Sequence, residues 1–147
     1  MELDFDDALA RGLRGYVRLV TEELGLTGEC SYVQAERPAG AYLALEGRLR
    51  EFPGRDVALL WDEERGWSVA VETSSGEDLI VQAHLGADVV PAPRAVARWV
   101  GKLFRGGLRG ERNATSSQGA PREAHDDLAG RLAPYAAAAL VPATHNA

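Results

Sequence analysis

The chain has one cysteine, one methionine and three histidines in 147 residues. Cys30 alone cannot close an internal disulfide, so the fold does not depend on an oxidising compartment. A transition-metal site needs three or four clustered Cys or His ligands. Cys30, His84, His125 and His145 are scattered along the chain, and no metal site is expected. No apolar run approaches the ~18 residues that cross a bilayer, so no membrane partner is expected. Glu2, Asp4, Asp6 and Asp7 stand where a secretory leader would be basic, which points to a cytoplasmic protein. HExxH, CxxC, GxSxG and the glycine-rich phosphate loops are missing. No catalytic residue and no cofactor is therefore assigned, and the reading leans away from an enzyme.

What the chain does contain is ordinary for a globular domain: 46% apolar and 26% charged residues. The net charge of −6 gives no overall pull toward nucleic acid. Its distribution is uneven: −4 over residues 1–30, −6 over 31–90 and +4 over 91–147.

Leu9, Leu13, Tyr16, Val17, Val20 and Leu24 repeat at helical spacing. A helix over about Asp6–Leu24 follows, with acids at its start and Gly25 as a left-handed cap. Gly12 and Gly15 on this helix suit close packing. The period then falls to two. Five short runs are expected as strands: Glu29–Glu36, Ala41–Gly47, Asp56–Asp62, Trp67–Thr73 and Asp78–Leu85. Their short connections favour antiparallel neighbours. Pairing the third and fourth runs at a constant index sum of 128 sets Val57 against Val71, Leu59 against Val69 and Trp61 against Trp67, all on one face. Trp61, near the hairpin tip, is expected to be only partly enclosed. A second helix begins at Pro93, carries Val96, Trp99, Val100 and Leu103 on one side, and ends at Gly106-Gly107.

These elements predict an α+β fold of two layers: an N-terminal helix, a five-stranded, mainly antiparallel sheet, a C-terminal helix and a flexible tail. Residues 1–105 form the domain. Residues 106–147 read as a Gly/Ser-rich linker and a mobile or loosely docked tail, in which Glu123–Leu140 suits a weak Ala-rich helix interrupted at Pro134.

The Ala8–Val17 helix, the Trp61…Gly66-Trp67 hairpin and the Pro-led helix containing Trp99 together resemble a family of small uncharacterised actinobacterial proteins. The resemblance spans residues 5–105 and implies no activity or site residues. The helix–sheet–helix order is similar, more distantly, to secretion-chaperone-type α/β folds.

Two surfaces stand out. Arg94, Arg98, Lys102 and Arg105 lie within about 80° of one another on the second helix, opposite its apolar side. They suit phosphates or an acidic protein, although the outer face of any amphipathic helix is polar. The other surface is the sheet face away from the tryptophans, where alternation collects Tyr32, Tyr42, Ala44, Ala58, Leu60, Ser68, Ala70 and His84. In this reading His84 shares its side with Ile80 and Gln82. Tyrosines over small residues favour a protein contact. The same face is where two copies would form a homodimer. Cys30 reads as a structural thiol, and Asp62-Glu63-Glu64 as a solvated turn. The expected function is protein–protein interaction, as a chaperone-like or regulatory module. The alternatives are a nucleic-acid-associated regulator using the basic helix, and a small-ligand-binding domain or enzyme on the open face.

Overall fold

The computed structural model describes residues 3–26, 31–34, 36, 38–73, 75, 78–86, 88–108 and 128–140. Helix α1 spans Leu3–Leu24. Its repeat buries Leu9, Leu13, Tyr16, Val17 and Val20 along one side. It ends as the sequence predicts: Gly25 has φ +78°. The Gly25 N–H bonds to the Glu22 carbonyl and the Leu26 N–H to the Thr21 carbonyl, which closes the last turn as a Schellman motif.

Five strands follow: β1 (Ser31–Gln34), β2 (Gly40–Leu45), β3 (Val57–Asp62), β4 (Gly66–Glu72) and β5 (Leu79–His84). They pair in chain order as an antiparallel meander. The β3–β4 register is the expected one, with Trp61 opposite Trp67. The turn between them is built by its acids. Asp62 Oδ1 accepts the Glu64 and Arg65 N–H groups at 2.9 and 2.7 Å. Glu63 accepts the Ala39 N–H at 2.8 Å and so fastens the start of β2. The cluster is thus partly structural, whereas sequence suggested only solvation.

Trp61, Trp67, Leu59, Val69, Leu43 and Val71 form the sheet side of the core, beneath α1 and α2 (Pro93–Gly106). Trp61 is fully buried, contrary to the expectation set by its place near the hairpin tip. The segment leading to α2 covers it, and its indole N–H donates to the Val89 carbonyl at 2.7 Å. Helix α2 buries Val96, Trp99, Val100 and Leu103 and ends at Gly107, φ +78°. There Glu51 accepts the Leu108 N–H at 3.0 Å, and Arg50 donates to the Arg105 carbonyl at 2.9 Å. The β2–β3 connection therefore grips the end of this helix.

Part of the segment expected as a weak, loosely docked helix is helical, in two pieces that meet next to Pro134. Residues 128–140 form helix α3 (Leu128–Leu132) and a 3-10 helix (Ala133–Leu140) docked on α1. Leu128 and Leu132 are buried, and Tyr135 packs against Tyr16 at a centroid distance of 4.9 Å. The seat is Gly12: a Cβ there would lie 2.6 Å from the Leu132 carbonyl oxygen. Arg131 also reaches Asp88 at 2.7 Å. Two leucines and a glycine notch dock the segment, and these are too sparse to register as a periodic signal.

One expectation is corrected: the facing of β5 differs. Its register shifts where Val69 and Ala70 of β4 meet Ala83 and Val81. This β-bulge leaves Gln82 unpaired in the ladder and changes the alternation. His84 therefore shares its side with Val81 and Leu79, while Ile80 lies on the core side, opposite Val71.

Candidate functional site: the uncovered sheet face

The antiparallel registers carry one line of side chains across all five strands. Tyr32 is opposite Tyr42, Tyr42 opposite Leu60, Leu60 opposite Ser68, and Ser68 opposite His84. At ~4.8 Å per strand the row runs roughly 19 Å. The four residues expected on this face, Tyr32, Tyr42, Leu60 and His84, are thus brought together, with Ser68 completing the line. The next row is a floor of small residues, Ala44, Ala58 and Ala70, ending at Val81. Ala58 and Ala70 are themselves buried and do not line the opening beside them.

The result is an open trough of about 430 Å³. Tyr32, Tyr42, Leu60, Ser68, Val81 and His84 line its middle, and Gln34, Asp62 and Arg65 its hairpin end. Tyr32 is 64% exposed, unusual for an aromatic side chain on a strand. Farther along the same face, beyond the trough, stand Glu72 and Asp56, the latter paired with Arg48 at 2.8 Å. Partial burial raises the Tyr42 phenol above its ordinary pKa, and these two carboxylates add to the effect. The trough is therefore aromatic and apolar at its centre. Val81 joins it only because of the bulge, so alternation alone missed it.

The four basic residues behave differently. Arg94, Arg98, Lys102 and Arg105 are all exposed on α2. Among the described residues none of their side chains has an ion pair. Arg94 and Arg98 border a second groove of about 390 Å³ with Pro93 and, from α1, Leu19 and Glu23. The stripe stands on the helical layer, on the other side of the molecule from the trough, so the two surfaces do not form one site.

Cys30, His125 and His145 lie outside the described residues. Among the described residues no three His, Cys, Asp or Glu side chains gather as a metal-binding group. No described helix is long and apolar enough to cross a membrane.

A family model matches residues 16–102, from the middle of α1 to the middle of α2. The chain belongs to this family, a family of unknown function (DUF6292). No curated protein and no solved structure matches the chain. The matched span contains all five strands and the whole uncovered face.

Proposed function

We propose that this protein is an interaction module that binds a protein partner on the uncovered face of its sheet. The observation that carries the reading is the unbroken row Tyr32–Tyr42–Leu60–Ser68–His84 beside an alanine floor. Tyrosine offers large contact area at low entropic cost, and Tyr32 and Tyr42 stand beside the apolar Leu60 and Val81 in the trough. A chaperone-like or regulatory role fits a surface made for contact. A single cysteine, which cannot close an internal disulfide, fits a cytoplasmic setting. The test is affinity capture from the source organism with the full chain and with Tyr32→Ala/Tyr42→Ala, whose fold is checked by circular dichroism. A protein retained by the parent chain and lost with the folded variant supports the reading. Equal retention by both contradicts it.

The unpaired cations of α2 support a second reading, an acidic protein or nucleic-acid contact through Arg94, Arg98, Lys102 and Arg105. Binding of duplex DNA that falls steeply with salt would favour it.

A further inference from the structure

The sheet has two edges, and they are unequally protected. Strand β1 is four residues long. Strand β5 is six residues long and, among the described residues, has only β4 as a neighbour. Its sequence, Leu79–His84, contains no Lys, acid or Pro; its one device against edge pairing is the bulge at Gln82, which leaves Leu79–Val81 regular. Three consecutive residues there remain open to solvent: Leu79 at 37%, Ile80 at 47% and Val81 at 43%.

The backbone directions are fixed by β4. Thr73 N–H donates to the Asp78 carbonyl at 2.9 Å, so Asp78 turns its backbone groups inward. Alternation turns those of Ile80 inward as well, and those of Leu79 and Val81 outward, unpaired. We propose that β5 is a homodimer edge, pairing antiparallel with β5 of a second copy about a two-fold axis at Ile80. An index sum of 160 sets Leu79 against Val81 of the second copy, and Ile80 against itself.

Three independent requirements select this register. Leu79 and Val81 both direct backbone groups outward, so each pair exchanges hydrogen bonds, and symmetry repeats it. Both side chains lie on the trough side, while the two Ile80 side chains meet on the core side. Every exposed apolar residue of the edge thereby meets another, and Asp78 faces Gln82 rather than an acid. An index sum of 162 sets outward Leu79 against inward Ala83, beyond the bulge. A sum of 158 sets Ile80 against Asp78. The dimer makes one ten-stranded sheet with the two troughs side by side on one surface. The contact is short, below the ~1,200 Å² of standard interfaces, so association is weak, at about 10–1,000 µM.

The test is sedimentation equilibrium of the full chain with Ile80→Lys and Ile80→Glu, both outside the trough. The parent chain should show a concentration-dependent dimer. Each variant alone should associate at least about tenfold more weakly, because residue 80 meets its own like charge across the axis. An equimolar mixture of the two should recover the dimer, which a merely misfolded variant cannot do. In a Cys30→Ser background, Ile80→Cys should cross-link on mild oxidation, since facing Cα atoms in such a pair lie about 4.5 Å apart. Leu79→Cys should not. A parent chain monomeric to about 1 mM overturns the proposal, as does a dimer broken by Tyr42→Ala but unaffected at residue 80.

Discussion

Trp67 on β4 donates its indole N–H to the Tyr16 hydroxyl at 3.0 Å, and their rings pack with centroids 5.9 Å apart. The Tyr16 hydroxyl in turn donates a hydrogen bond to the Pro91 carbonyl, at the entrance to α2. One phenol thus ties the sheet, the first helix and the start of the second. Tyr16→Phe removes the hydroxyl and leaves a buried indole N–H and a carbonyl unpaired. We expect a loss of about 1–3 kcal/mol in urea unfolding, with the fold retained.

The same phenol sets an alkaline limit. Burial is the main cause that pushes the Tyr16 pKa well above its ordinary value, and the Trp67 hydrogen bond only partly offsets it. The folded state therefore holds the proton more tightly than the unfolded chain. Stability is unaffected below pH ~10 and falls as pH rises through the unfolded value. Melting curves from pH 8 to 11.5 should show this decline, and Tyr16→Phe should flatten it.

Asp88 predicts the opposite limit. Burial alone would raise its carboxyl, but Arg131 and the N–H groups of Val89 and Val90 outweigh burial and hold its pKa below the ordinary value. A depressed carboxyl stabilises the fold above its unfolded pKa of ~3.9, and that contribution is lost as pH falls through the folded value. The pair is partly exposed, so its worth is about 1 kcal/mol or less. Arg131→Met should narrow the difference in stability between pH 6 and pH 3.

Gly12 decides whether residues 128–140 stay docked. Gly12→Ala would gain about 1 kcal/mol of helix propensity in isolation. Its methyl group would meet the Leu132 backbone, so the net effect should be a loss of about 1–3 kcal/mol. Removing residues 128–147 should also lower the melting temperature. Gly12→Ala should add little further loss to that truncated chain, because both changes act on one contact.

Leu59→Ala should cost about 2–5 kcal/mol, since Leu59 is fully buried under the helices. Tyr32→Ala on the other face should change stability by about 0.5 kcal/mol or less. Paired chemical denaturation of the two variants checks the facing of the sheet.

The meander and its facing were legible because β3 and β4 carry a strict period of two, with a tryptophan at matching distance from the turn on each strand. The Gly25 cap was legible because few residues accept φ +78°. The β5 bulge was not: inserting Gln82 into the ladder leaves no mark in composition, yet it moves Val81 into the trough and Ile80 out of it. Nor was the docking of residues 128–140, which depends on a side chain that Gly12 lacks. The burial of Trp61 escaped notice because the cover comes from Val89, outside any regular element. Of the uncovered face, Tyr32, Tyr42 and Leu60 followed from alternation, whereas His84 lies there in a register set by the bulge, beside Val81 and not Ile80.

The most direct measurement places a photo-cross-linking phenylalanine analogue at Tyr42, in the middle of the trough, and separately at Arg98 on α2, within the full chain in a lysate of the source organism. Binding through the uncovered face predicts one discrete protein adduct from position 42, competed by unlabelled chain, and none from position 98. An adduct from position 98 alone would contradict the account and move the binding surface to the basic helix.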